Sequence, residues 1–574
     1  MVLLIFLMIS GAIAEVVSLA AIVPFLAILA DPDQVLKSPL LGRIVEFLHL
    51  NGVQDMRLSL TVVFAIAALA AGTMRFFLSY AIAKINFGIG HEMGIEVYRR
   101  TLHQPYVVHV ARNSSEIIGS LSKVDNVVYM FFSLLTVASS ILMSIFIVGA
   151  LLWIDARLAS IALFGFGSIY VVVSILTRRQ LRRNSQIMNE SATARVQIVQ
   201  EGLGGIRDIL LDHSQGLFAS RFNAMDLALR RAQASNAFIG PSPRYVVEAL
   251  GMVLIASLGF RMTVAEGSVA AAIPALGALA MGAQRLMPLL QQIYNGWVTV
   301  AGIEAVLTDV AALLQQPVAL DSEMQPEPMR FSHEIRLERV EFRYQTTLPV
   351  VLQDVSVVIP KGSRIGFIGT TGSGKSTAVD LLMGLLSPTG GAMLIDGVPL
   401  TDVARRSWQR NIAHVPQAIF LADASFSENI AFGVPAEEID HERVRSAAQQ
   451  AQIADFIEAS SAGYDARVGE RGVRLSGGQR QRIGIARALY KQARVLVFDE
   501  ATSALDAETE SAVMQAIQGL GRHLTVIVIA HRLGTLRECD VIYRLENGRI
   551  VSAGSYESVV GSTGNDETGP RPGY

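Results

Sequence analysis

Long apolar runs ahead of a soluble-looking half restrict this chain more than any other feature. Val2–Ala30 is apolar almost throughout, interrupted by Glu15 and Pro24, and at 1.5 Å per residue it can cross a hydrocarbon core of about 30 Å. No basic segment precedes it and no small-residue cleavage signal follows, so it is read as a retained span rather than a signal peptide. Five further runs follow at Leu58–Ala83, Val127–Ile154, Leu158–Leu176, Tyr245–Phe260 and Val269–Leu290, which predicts six membrane helices. Composition agrees: 51% of the 574 residues are hydrophobic and 17% are charged, a balance soluble proteins seldom reach. The single cysteine, Cys539, excludes an intrachain disulfide framework, and a net charge of −2 gives no basic footprint for nucleic acid.

Basic residues orient the spans. Lys84–Asn126 carries Lys84, Arg99, Arg100, Arg112 and Lys123, and Arg178–Arg244 carries ten arginines, whereas Asp31–Arg57 has only Lys37, Arg43 and Arg57. The two basic segments are expected in the cytoplasm, which makes this a multi-pass protein of the inner (cytoplasmic) membrane with both termini cytoplasmic. Glu92–Gln104 and Ser185–Arg207 hold good helix formers and few breakers, so the membrane helices are expected to continue into the cytosol. The expected organisation is a membrane domain over residues 1–315, a Pro-rich linker over 316–334, a soluble α/β domain over 335–560 and a disordered tail over 561–574.

The chemistry is concentrated in the α/β domain. Gly369-Thr370-Thr371-Gly372-Ser373-Gly374-Lys375-Ser376 follows the apolar strand Arg364–Ile368 and precedes a helix-forming run that starts at Thr377. This spacing is that of a phosphate-binding loop: glycines let backbone N–H groups converge on phosphate oxygens, Lys375 reaches the β- and γ-phosphates and Ser376 ligates Mg²⁺. A second apolar run, Arg494–Phe498, ends in Asp499 and Glu500, where the carboxyl end of a parallel strand places ligands. Asp499 is read as a Mg²⁺ ligand and Glu500 as the base that takes a proton from an attacking water; an ordinary acidic strand end is the alternative.

Leu475-Ser476-Gly477-Gly478-Gln479 opens a helix with a hydroxyl, backbone donors and a helix dipole, an anion site in a domain that already owns a phosphate loop. This stretch resembles the signature motif of ATP-binding cassette (ABC) proteins, in which two cassettes face head to tail and complete each other's ATP sites. The resemblance implies an α-helical transmembrane domain of six spans, exporter type, fused to an α/β P-loop NTPase that hydrolyses ATP. It also implies roles by position. Tyr344 resembles the adenine-stacking aromatic, Gln417 the glutamine that senses Mg²⁺ and water, Asp506 in Ser503-Ala-Leu-Asp506 the loop that crosses the dimer interface, and His531 the switch histidine near the γ-phosphate. One chain holds one cassette, so the resemblance implies a homodimer as the simplest assembly, or a pairing with a related half. Asn113–Glu116 and Leu211–Phe218, at the turns of the two cytoplasmic hairpins, would be the coupling helices.

The cargo is approached through charge. Arg75, Arg285 and Arg244 lie in or at the edge of spans, where arginine is costly and tends to face a cavity; converging, they would suit an anionic head group. Each could instead pair, Arg244 with Glu248 for example, or snorkel. Pro39–Leu50 has the apolar spacing of an amphipathic interfacial helix. Together these features resemble flippases of lipid-linked oligosaccharides, with a multidrug or lipid A-type exporter as the alternative. A lipid or lipid-linked substrate is the expected partner, and ATP and Mg²⁺ the expected cofactors.

Overall fold

A computed structural model describes residues 2–30, 53–111, 114–154, 156–266, 269–316, 326–469, 472–499, 507–519, 523–529 and 536–560. The interfacial helix expected at Pro39–Leu50, part of the linker and the tail from residue 561 lie outside the described residues. The chain divides into two compact units, one of residues 1–104 and 112–319 and one of residues 105–111 and 320–574.

Among the described residues the first unit is all helix, one of the two ways in which a backbone in lipid can satisfy its own polar groups. Its helices run over Val2–Ala20, Ile22–Ala30, Val53–Leu102, Ser114–Ile154, Ala156–Gly204, Ile206–Leu211, Gln215–Ile239, Ser242–Glu266 and Val269–Leu314. Among the described residues, three stretches are long and apolar enough to cross a membrane, Val2–Leu26, Arg57–Leu102 and Ile117–Trp153, with a bent fourth over Ala280–Ala301 and Val306–Leu314. The fourth and fifth expected spans, Leu158–Leu176 and Tyr245–Phe260, lie within the helices Ala156–Gly204 and Ser242–Glu266. Two boundaries differ from expectation. The first run breaks at Ala21, so that Pro24 falls in the first turn of a second helix, where its missing N–H costs nothing. The last run continues to Leu314 despite its glycines and prolines and bends by 66° between Ala301 and Val306, where Gly302 sits.

Close helix contact and polar ties hold this unit together. A Cβ on Gly296 would lie 2.0 Å from Val137 Cγ2, so only glycine lets these two helices approach as they do. Asn86 Nδ2 donates to Val128 O at 3.1 Å, and Lys123 Nζ pairs with Asp309 at 2.6 Å. Phe76, Phe77, Trp153 and Val253 stand exposed on outer faces, as lipid-facing side chains would.

The second unit carries two sheets. Strands β1 (Glu334–Phe342), β2 (Leu352–Pro360), β4 (Gly390–Ile395) and β5 (Val398–Pro399) form an antiparallel sheet in the order β2-β1-β4-β5. Strands β3 (Arg364–Ile368), β6 (Ile412–Val415), β7 (Val495–Asp499), β8 (Thr525–Ile529), β9 (Val541–Glu546) and β10 (Arg549–Gly554) form the other, ordered β10-β9-β3-β8-β7-β6. Strands β9, β3, β8, β7 and β6 are parallel and β10 is an antiparallel edge. All five residues of β8 and the first four of β7 are buried, the unalternating pattern of a strand covered on both faces. In register, Asp499 stands opposite Ile529 and Val415 opposite Phe498, so the residues after β6, β7 and β8 emerge along one edge of the sheet.

In the first cytoplasmic hairpin the long helix ends before His103–Pro105, because Pro105 cannot continue it, and a short helix follows at Tyr106–Ala111; of the expected turn Asn113–Glu116, Asn113 lies outside the described residues and Ser114 already begins the next helix. Residues 105–111 belong to the α/β unit, and Val107 packs against its core. The second hairpin turns at Asp212–Ser214, inside the expected Leu211–Phe218.

Candidate functional site

The phosphate-binding loop joins β3 to the helix Lys375–Leu382. Its conformation requires glycine. Gly369 has φ +150° and a Cβ there would sit 2.1 Å from Leu545 O, while Gly374 has φ +99° and a Cβ there would meet Leu352 Cδ2 at 2.7 Å. Lys375 is buried and its Nζ donates to Gly369 O at 2.8 Å and Thr370 O at 3.0 Å, so the ammonium lies across the mouth of the loop. Ser373 is buried as well, and its Oγ has no partner among the described residues, an orphan that a phosphate oxygen would satisfy. Ser376 stands exposed at the first turn of the helix, while Thr371 and Gly372 form the exposed tip.

Two carboxylates meet beside this loop. Asp499 ends β7, half-buried. Asp380, on the helix that leaves the loop, is pushed up to about 6 by its burial and by the charge of Asp499. Asp380 was missed in the sequence, although a lone carboxylate among Ala378, Val379, Leu381 and Leu382 breaks an otherwise buried helix face. Gln417 follows β6 at the same edge, on the surface. The oxygen donors on offer are the Ser376 hydroxyl, the Asp499 carboxylate and the Gln417 amide, hard ligands of the kind Mg²⁺ prefers.

Tyr344 is fixed next to the loop. Its hydroxyl shares a 3.2 Å hydrogen bond with Thr377 Oγ1, and its ring meets Phe342 edge-on at 4.9 Å. Tyr106, from the short helix that belongs to this unit, is a neighbour the sequence did not suggest. Burial first, then the charges of Asp380 and Tyr344, push its phenol up.

The Ser-Gly-Gly turn opens the helix Gly477–Tyr490 with a complete capping box. Gln479 N donates to Ser476 Oγ at 3.2 Å and Ser476 N donates to Gln479 Oε1 at 2.8 Å. Further along, Ile483, Ile485 and Ala486 anchor the helix in the core, so its N-terminal end, with Ser476 exposed and Gly477 and Gly478 half-buried, is presented rigidly to the surface. Ser476 and Gln479 bond to each other rather than to the loop at 369–377. Glu500, Asp506 and His531 lie outside the described residues.

In the membrane unit the three arginines do not converge. Arg75 Nε approaches Glu15 Oε1 at 2.6 Å, and Arg285 pairs with the other oxygen of the same carboxylate while donating to Ser18 Oγ at 2.9 Å. Arg244 instead pairs with Glu248 one turn along its own helix at 2.6 Å. Glu15, visible in the sequence only as an interruption, is the hub. It is 2% exposed.

Residues 352–503 match the ABC transporter family, and residues 2–262 match the ABC transporter transmembrane region. The ATP-dependent lipid A-core flippase of Chromohalobacter salexigens is 31% identical over 538 residues, 90% of this chain and 89% of that protein. The protein of the same name from Pseudomonas aeruginosa is 30% identical over 546 residues, 91% of this chain and 88% of that one. Among solved structures, a bacterial Atm1-family ABC exporter with ATP bound superimposes with a TM-score of 0.75 at 22% identity, covering 99% of each chain, and shares the fold of a helical membrane domain fused to an α/β nucleotide-binding domain. With a phosphate-binding loop, a capped signature turn and relatives along nine-tenths of its length, the chain belongs to the ABC transporter family and couples ATP hydrolysis to transport.

Proposed function

We propose that this chain is one half of a homodimeric flippase that moves an acidic, amphipathic glycolipid of the lipid A type across the inner membrane, with both termini in the cytoplasm. The observation that carries the reading is the run of lipid A-core flippases at 30–31% identity across about nine-tenths of the chain. It ranks the lipid A-type cargo ahead of the lipid-linked oligosaccharide that the sequence suggested first. Both cargoes join phosphate to lipid, so arginines at membrane depth serve either, and a neutral or cationic drug is disfavoured.

The geometry of the described residues and the family resemblance together support these roles. The loop at 369–377 binds the triphosphate through its backbone donors, Lys375 and the orphan hydroxyl of Ser373, and Tyr344 supports the base. Ser376, Asp499 and Gln417 would hold Mg²⁺, which neutralises phosphate charge when bound. Glu500, directly after Asp499, takes the proton of the attacking water, and His531 and Asp506 act at the γ-phosphate and the dimer interface. Ser476, Gly477, Gly478 and Gln479, rigid and outward-facing, complete the site of a second copy. Arg75 is the cargo-facing cation, and Arg285 holds Glu15 beside it.

The test is ATP-dependent translocation in liposomes reconstituted with the purified protein. A phosphorylated lipid A should be flipped faster than a pyrophosphate-linked oligosaccharide lipid, and a cationic drug should not be exported. Preference for the oligosaccharide lipid would restore the first expectation, and preference for the drug would end the glycolipid reading.

A further inference from the structure

The Arg75–Glu15–Arg285 triad has a closed end and an open end. Glu15 lies near the middle of the Val2–Leu26 span, where an ionised carboxylate needs cationic company. Arg285 supplies it on the closed side, its side chain 15% exposed and tied also to Ser18, one turn from Glu15 on the same helix face. Arg75 lies on the open side. Its side chain is 51% exposed, and Glu15 Oε1, though 2.6 Å from Arg75 Nε, receives no well-directed hydrogen bond. Among the described residues the Nη groups of Arg75 meet no acceptor. With two guanidiniums and one carboxylate, the cluster carries one positive charge in excess.

A cluster that served only packing would balance its charge and close both ends. This one leaves donors free and makes its weaker contact at the exposed cation. We infer that Glu15 is the resident competitor for the cargo's anionic group: a phosphate of the acidic lipid arriving from the open side exchanges for the carboxylate on Arg75, while Arg285 keeps Glu15 paired. When the cargo leaves, Glu15 takes Arg75 back, which keeps the arginine from trapping the phosphate. No bond is made or broken, and only ion pairs are exchanged. The inference rests on the proposed acidic-lipid cargo and adds Glu15 as a specificity residue for it.

Replacing the carboxylate by its amide tests this. The full-length protein in nanodiscs, as wild type and as Glu15→Gln, is titrated with bis-phosphorylated lipid A and with the dephosphorylated lipid, and multiple-turnover flipping is followed in liposomes. Removing an internal competitor should lower the half-saturating concentration of the phosphorylated lipid by about fivefold or more, leave the dephosphorylated lipid unchanged and slow multiple-turnover flipping. Unchanged or weaker binding of the phosphorylated lipid, or equal tightening for both lipids, would overturn the role of Glu15. Should Glu15→Gln not fold, Glu15→Asp draws the carboxylate back by one methylene and should shift binding the same way by a smaller factor; a flat or opposite result there counts equally against the inference. A wild-type protein without any phosphate preference defeats the proposed cargo itself, whereas an intact preference with an indifferent Glu15→Gln defeats only the competitor.

Discussion

The phosphate-binding loop and the Arg75–Glu15–Arg285 triad both offer positive groups to an anion, and they are built in opposite ways. The loop gathers its donors within nine consecutive residues, Gly369 to Thr377, by bending a backbone that only glycine can bend. The triad draws its members from three helices, with 270 residues between Glu15 and Arg285, and depends entirely on packing. A nucleotide site therefore rests on local covalent geometry and tolerates little change. A cargo site assembled across helices can alter its charge one residue at a time without losing the fold. Under the proposed function the difference would suit the two tasks, because one site would meet the same nucleotide in every cycle and the other would set what is moved.

Changes in the cassette should have the largest effects. Glu500→Gln keeps the shape of the side chain and removes the base, so ATP should bind and turnover should fall by about 10²-fold or more, measured as phosphate release from the reconstituted protein. Near-normal turnover would show that the acidic strand end is structural. In the membrane unit the expected scale is smaller. Arg285→Ala strips a buried carboxylate of its better partner and should lower lipid flipped per ATP hydrolysed by roughly tenfold, as loss of a charge-assisted contact does. Arg244→Ala should change that ratio by less than about twofold, since Arg244 is already engaged with Glu248 on a half-open surface. Equal losses in the two variants would erase the distinction the structure draws between these arginines.

A separate expectation concerns the pH dependence of stability. His414, in β6, is half-buried with its Nε2 enclosed and unpartnered among the described residues, and desolvation pulls its imidazole down to about 4 from the usual 6.5. The unfolded chain takes up a proton below pH 6.5 that the folded chain refuses, so stability should fall between pH 6.5 and 4, by at most roughly 3 kcal/mol. Asp380 acts in the other direction. Its raised carboxyl, about 6 against an ordinary 3.8, holds a proton in the folded state that the unfolded state has released, so its contribution favours folding at the acid side and is lost as pH rises from about 4 to 6. Melting temperatures of wild type and His414→Leu across this range should show a shallower acid loss in the variant, and an unaltered profile would mean that His414 takes up its proton equally in the folded and unfolded states.

The contrast between the two regions also explains what could be read in advance. Strands β3 and β7 and the signature helix were legible because an unalternating apolar run, a glycine pattern and a capping residue are local signals. The membrane helices were legible as runs but not as boundaries, because packing rather than propensity carries the last one through its prolines to Leu314. Glu15 could be seen as an anomaly in an apolar stretch, yet its partners come from helices whose approach no spacing in the chain encodes. Asp380 showed only as a lone carboxylate in an apolar helix run and Tyr106 not at all, since their importance lies in which neighbours the fold assigns them.

The short helix at Tyr106–Ala111 bears on how this protein can be taken apart. A gene fragment beginning near residue 320 would encode every strand of the nucleotide-binding half and still be incomplete, because Val107, which roofs part of its apolar core, is supplied from more than two hundred residues upstream. Such a fragment would carry a bare greasy notch into solution, and self-association or loss of yield during purification would be properties of the cut rather than of the native enzyme. A cloning boundary that respects the fold has to restore that cover, for example by tethering residues 105–111 to the fragment.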